Sequence, residues 1–352
     1  CNLALEEAHR FVLKGVDENK VADAWQILSK DRFLPVVAGC LAWRDKLRLC
    51  DWGYVRFVEH MTAAFFGKEQ QNEAQLLQMF LLTQSGYKVR IARTGERLVV
   101  LLPSKDEIYE YSYLNLKGEK YYVVDPSLRQ CSFHVFEREF PGEQCFSLQI
   151  PFHPLLDVNP SNPRRLTSRR YPALSVEVTV NRNLIAFYDD FPQSNAWDVY
   201  VQASLDDKVK DMLYPALRQA IAGKSKPEAA NILINFVQTA FEYQTDQKQF
   251  GGERAFFPDE TLYYPYSDCE DRAILYAVLV QELLDLEVVL LHYPKHLATA
   301  VHFDEEVPGD YFMLDGRKYL VCDPTYINAD IGEAMPQYKR TQAQVIRLGR
   351  EK

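Results

Sequence analysis

Gly118-Glu-Lys-Tyr-Tyr-Val-Val-Asp-Pro-Ser127 recurs 198 positions later as Gly316-Arg-Lys-Tyr-Leu-Val-Cys-Asp-Pro-Thr325. Gly118, Lys120, Tyr121, Val123, Asp125 and Pro126 match Gly316, Lys318, Tyr319, Val321, Asp323 and Pro324. Each stretch opens with a turn signal, Lys117-Gly118 or Asp315-Gly316, and continues as an apolar strand, the pattern of a hairpin. Upstream, with a small change of offset, Arg97-Leu98 falls on His296-Leu297 and Asn72-Glu73 falls on Cys269-Glu270, each of the latter opening an apolar helix. Helix, strand, strand and hairpin therefore recur in one order, which indicates two copies of one α+β unit.

Periodicity fills in the rest. Leu5, Ala8, Phe11 and Val12 keep helical spacing, as do Val55, Val58, Met61, Thr62 and Phe65, and a stripe of Leu76, Leu77, Phe80 and Leu81 ends at Gly86. Strands are expected at 87–91, 97–102 and within 108–124. Residues 151–172 are rich in Pro, Asn and Ser, and Val176, Val178 and Val180 then alternate with polar residues as in a half-buried strand. Ser225 with Glu228 forms a capping box for a helix running through Phe241. The last 85 residues predict a helix at 270–284, strands at 287–291 and 296–303, and the Asp315-Gly316 hairpin. The expected organisation is an N-terminal domain over 1–140, a β-rich connector over 141–205 and a second domain over 206–352.

The chain has 352 residues, enough for two or three domains with cores of their own. A net charge of -9 disfavours general nucleic-acid binding, and no apolar run is long enough to span a bilayer. One basic cluster, Arg164, Arg165, Arg169 and Arg170, reads as a solvated linker. Seven cysteines without a CxxC pair exclude a disulfide scaffold and a zinc finger. Cys1 in place of Met has two readings, a lipid-anchored terminus left by signal cleavage, which would put the chain in the cell envelope or periplasm, and an arbitrary boundary.

The copies differ where chemistry would occur. The second carries Cys269, His296 and Asp323; the first carries Asn72, Arg97 and Asp125. An amide is no nucleophile, and Arg does not exchange a proton at neutral pH. With Ser267 as N-cap and Glu270 at the third helical position, Cys269 would sit in the first turn, where free N–H groups and the helix dipole favour a thiolate. Asp268, Glu270 and Asp271 oppose this by raising the thiol's pKa, so a cationic partner is required. His296 is the candidate, with Asp323 to orient it and Arg272 to offset the carboxylates. His302 and His292 are rivals, placed too far along the strand or in the turn before it.

The DCEDRA helix start, the HLATAV strand and the Cys-Asp-Pro-Thr-Tyr run ending at Tyr326 resemble the transglutaminase-like cysteine enzyme superfamily, over about 206–345 and in degenerate form over about 50–130. Tyr263-Tyr264-Pro265-Tyr266 before the Cys makes the arrangement most similar to transglutaminase-like proteins of gut Bacteroidetes. The resemblance implies papain/transglutaminase-like units, helices packed on an antiparallel sheet. It also implies Cys269 as nucleophile, His296 as general base and acid, and Asp323 as orienting residue. Two features depart from the family: Ala298 or Thr299 stands where many members have Trp, and an acidic insertion, Asp304 to Asp310, lies between the His and the Asp.

The expected activity is acyl transfer on a peptide or carboxamide through a thioester, hydrolytic by preference, with no cofactor or metal and a peptide or protein as partner. A cross-linking transglutaminase and a non-catalytic peptide- or glycan-binding scaffold are the alternatives. The first copy would be structural or substrate-presenting.

Overall fold

The computed structural model describes residues 5–129, 131–136 and 138–349. The chain is mixed α+β and forms two compact units, one of residues 1–156 and 191–195, the other of 157–190 and 196–352.

The first unit begins with four helices, α1 (Glu18–Leu28), α2 (Leu34–Lys46), α3 (Asp51–Phe66) and α4 (Gln71–Gln84). The Leu5–Val12 stripe forms no α-helix. Only a single 3-10 turn, Glu7–His9, appears there, consistent with the cost of nucleating so short a segment. Strands β1 (Arg90–Thr94), β2 (Arg97–Pro103), β3 (Tyr113–Leu116), β4 (Glu119–Val123) and β5 (His134–Phe136) make a sheet of order β3-β4-β2-β1-β5. Helix α4, buried along almost its whole length, packs on β2 and α3.

In the second unit, β6 (Arg164–Thr167) and β7 (Ser175–Val178) form a hairpin, followed by α5 (Arg182–Asp189), α6 (Trp197–Ala203), α7 (Asp207–Ile221) and α8 (Lys226–Thr239). Residues 141–205, expected as a β-rich connector, thus carry one short hairpin and two helices, and are divided between the two units. The Ser225–Glu228 capping box is present, its helix ending two residues before Phe241. After β8 (Glu242–Tyr243), α9 (Asp246–Gln249), α10 (Pro258–Tyr263) and β9 (Tyr266–Ser267) comes α11 (Cys269–Leu284). Helix α11 is apolar around most of its circumference because it is central, packed against α8, α10 and α6 and, on another side, β10 (Glu287–Tyr293) and β11 (His296–His302). With β12 (Tyr311–Leu314), β13 (Arg317–Cys322) and β14 (Gln344–Arg347) these strands give the order β12-β13-β11-β10-β14.

The two sheets are antiparallel, curled and identical in strand order. The hairpins read from the repeated stretch also match. Leu116 pairs with Glu119 and Leu314 with Arg317, and both central residues of each turn have positive φ, Lys117 and Gly118 at 52° and 89°, Asp315 and Gly316 at 52° and 78°. That geometry is the type I′ turn, which explains the Gly at its second position.

The basic cluster is solvated only in part: Arg165 and Arg169 are exposed, whereas Arg164 and Arg170 are anchored. Arg164 donates to the carbonyls of Thr261, Leu262, Tyr264 and Pro265, and Arg170 pairs with Asp330 and donates to Asn328 O at 2.8 Å. All six cysteines among the described residues are free thiols; Cys1 lies outside the described residues. Among the described residues no helix is long and apolar enough to cross a membrane.

Candidate functional site

Cys269 opens α11 at its first position, and the N-cap is Asp268 rather than Ser267. Asp271 at the third position accepts the Asp268 N–H and, across the chain, the Phe256 N–H, each at 3.0 Å. Ser267 instead belongs to β9, paired in parallel with β8, and its hydroxyl accepts from Arg272 Nε at 3.1 Å. The expected capping box failed because Ser267 is held by strand pairing, which moves the cap one residue along.

Arg272 does not pair with the surrounding carboxylates. It is buried and donates to the carbonyls of Gln238 and Phe241 as well as to Ser267, with Tyr243 under its guanidinium at 5.4 Å. The carboxylates are left to one another and to the thiol. Cys269 donates to Glu270 Oε2 at 3.0 Å, and burial first, then the charges of Glu270 and Asp268, push the thiol well up from its ordinary value. Burial likewise raises Asp268, Glu270 and Asp271, and pushes Asp246 to about 7. Oxygens of Asp246, Asp268 and Asp271 lie within 4.8 Å of one another, a donor set a hard cation could use. Both Asp271 oxygens and Asp246 Oδ2 already accept backbone N–H groups, which favours their ionised form, while burial acts the other way and prevails.

The histidine side is built from the sheet. Helix α11 packs on β11, which brings the Leu297 backbone, one residue after His296, near enough to the Cys269 thiol to pull its pKa down slightly against the larger upward push of burial and the carboxylates. His296 Nε2 lies 2.8 Å from Asp323 Oδ2 at the end of β13, which leaves Nδ1 as the ring nitrogen open to another partner. Asp323 is fixed in turn by its other oxygen, which accepts the Thr325 N–H at 2.9 Å. The side chains of His296 and Asp323 are 6% and 3% exposed, so their pairing is little screened by water. The other histidines go elsewhere: His302 Nδ1 lies 2.9 Å from Lys318 O, and His292 packs against Trp197.

Tyr338 is the member of this group that sequence reading missed. Its ring stacks on His296 with centroids 4.7 Å apart and planes within 4°, and it lies near enough to Cys269 and Asp323 for their charges to raise its phenol, after burial. Tyr293, opposite His296 in the β10–β11 register, stacks on Tyr338 at 4.8 Å. Tyr338 sits in an irregular segment after β13, with no periodicity to mark it. The acidic insertion braces that segment. Asp310 pairs with Lys339 at 2.9 Å and accepts the Ala334 N–H at 3.0 Å, while Gly309, at φ 140°, lies so close to Gly332 that a Cβ would meet its Cα at 2.5 Å.

The first unit repeats this framework with other groups. Asn72, near the start of α4, accepts the Leu98 N–H through Oδ1 at 2.9 Å and donates through Nδ2 to Glu96 O at 2.8 Å. Arg97 pairs with Asp125 at 3.0 Å where His296 pairs with Asp323, and the Ser127 N–H binds the other Asp125 oxygen at 2.9 Å.

Comparison with family models, with curated proteins and with solved structures returns no match. The geometry and the residues carry the functional argument.

Proposed function

We propose that the second unit is a transglutaminase-like acyl-transfer module in which Cys269 is the nucleophile, His296 the general base and acid, and Asp323 its orienting partner. The observation that carries this reading is the buried pair of His296, at the start of β11, with Asp323, on the strand against which the helix opened by Cys269 packs. In the proposed step the thiol proton passes to His296 Nδ1 as sulfur attacks the carbonyl carbon of a peptide or carboxamide. The imidazolium then protonates the departing amine or ammonia, leaving a thioester. Water, its proton taken by His296, resolves the thioester to the carboxylic acid and restores the thiol. Hydrolysis is the favoured outcome; a lysine in place of water would give cross-linking.

The elevated thiol defines the mode of action. Because burial, and then Glu270 and Asp268, raise the thiol, the proposed step has its proton leave during attack rather than from a standing thiolate–imidazolium pair. The same elevation favours the second reading, an inert cleft that binds peptide or glycan without reaction. Labelling of Cys269 by iodoacetamide, followed by mass spectrometry, separates them. The enzymatic reading expects labelling that falls in His296→Ala, and a positive in a screen of peptides and glutamine donors. Labelling indifferent to His296 supports the inert cleft.

The first unit is proposed to be structural or substrate-presenting, since its Asn and Arg carry no nucleophile and no exchangeable proton.

A further inference from the structure

A second cavity lies on the segment that leads to Cys269. It measures about 380 Å³, the lower range of ligand pockets, and lies wholly within the second unit. Val178, Val180, Leu262 and Pro265 give it apolar walls, and Arg164 and Arg182 give it charge. No Asp or Glu lines it, in a chain whose net charge is -9.

Both guanidiniums lack a counter-ion. Arg164 is bound only to neutral carbonyls, through Nη1 and Nη2, and burial pulls it down from its ordinary value with no carboxylate acting against that. Carbonyl dipoles hold a guanidinium in place without cancelling its charge, and five N–H donors leave Nε and part of Nη2 for another acceptor. Arg182, at the start of α5, makes no ion pair among the described residues. A half-buried Arg164 and an exposed Arg182 over apolar walls are the complement of an anion that carries a hydrocarbon body. The planar fork of each guanidinium matches a carboxylate.

We infer that this pocket binds a carboxylate on an apolar chain, and that it holds the acidic end of the substrate whose acyl group meets Cys269. The second half of this inference rests on the function proposed above; the first half does not. The linkage is short. Arg164 grips Tyr264 O and Pro265 O, and four residues of chain from Pro265 to Cys269 span at most about 14 Å, the reach of an extended peptide of the same length.

The test uses hexanoate, hexanamide and inorganic phosphate with the full chain, followed by saturation-transfer NMR and titration. Hexanoate is expected to bind and the other two to bind at least about tenfold more weakly, since the amide lacks the charge and phosphate lacks the apolar body. Arg182→Gln, and Asn162→Asp at the exposed rim, should each weaken hexanoate by about tenfold, while Cys269→Ala leaves it unchanged. Arg164→Gln is not the diagnostic variant, because it also removes the carbonyl clamp. Equal binding of hexanamide, phosphate binding that matches hexanoate, no hexanoate binding at millimolar concentration, or insensitivity to both variants overturns the pocket. Hexanoate binding with an unreactive Cys269 retains the pocket and discards its link to acyl transfer; a reactive Cys269 with no hexanoate binding overturns the pocket and its link together and leaves the proposed function standing.

Discussion

The two sheets share strand order, turn type and even the Asx turn that follows β4 and β13, yet one carries Arg97–Asp125 and the other His296–Asp323. The difference lies in burial as much as in residue type. Arg97 and Asp125 side chains are 50% and 27% exposed, so water screens their attraction. His296 and Asp323 are enclosed by Tyr338 and Tyr293, and an acidic cluster crowds the adjoining helix start. The scaffold alone places an amide or a thiol at the start of the helix that packs on each sheet. Only the second unit adds the enclosure and the ionisable groups that chemistry requires.

The widest expected divergence between the units is in their response to pH. Burial pushes Asp259 to about 8 and Asp246 and Glu260 to about 7, all in the second unit. A carboxyl whose folded pKa lies above its unfolded value of about 4 contributes stability in full below that value and loses it as pH rises through the folded pKa. Hydrogen exchange should therefore show the second unit opening more readily at pH 8.5 than at pH 5.5 while the first changes little, with Asp259→Asn flattening the trend. Equal pH responses in the two units would break the comparison.

Converting the second site toward the first is the next largest effect. His296→Arg should slow Cys269 alkylation at pH 7.5 by about 100-fold, the scale of losing a general base. Unchanged labelling would mean the pairing with Asp323 is only structural. Glu270→Gln should move the other way and speed alkylation at pH 7 by about tenfold, because a thiol whose pKa falls by about one unit has that much more thiolate. A rate that falls instead would show Glu270 accepting the thiol's proton during reaction.

Two changes in the first unit should be small. Asn72→Ala removes bonds to Leu98 N and Glu96 O and should cost about 1 kcal/mol by urea titration, with Cys269 labelling unaltered. Asp125→Ala, at an exposed pair, should cost about 0.5 kcal/mol or less. A marked loss of labelling in Asn72→Ala would falsify the view that the first unit is chemically silent.

The sequence by itself determined the doubled hairpin and the helix before each sheet, and it named Cys269, His296 and Asp323 as candidates, of which the structure pairs His296 with Asp323. These are local facts: a type I′ turn needs its Gly, a core helix needs its apolar run, and equal spacing places equal residues at equal points of equal sheets. Tertiary structure decided what the neighbours do. Strand pairing with β8 took Ser267 away from the helix cap, and backbone carbonyls claimed Arg272 and Arg164 where charge alone had suggested carboxylates or solvent. Tyr338 reached His296 from an unpatterned segment braced by the acidic insertion. Side chains with several donors or large faces take their partners from whatever the fold brings near, and that choice has no period along the chain.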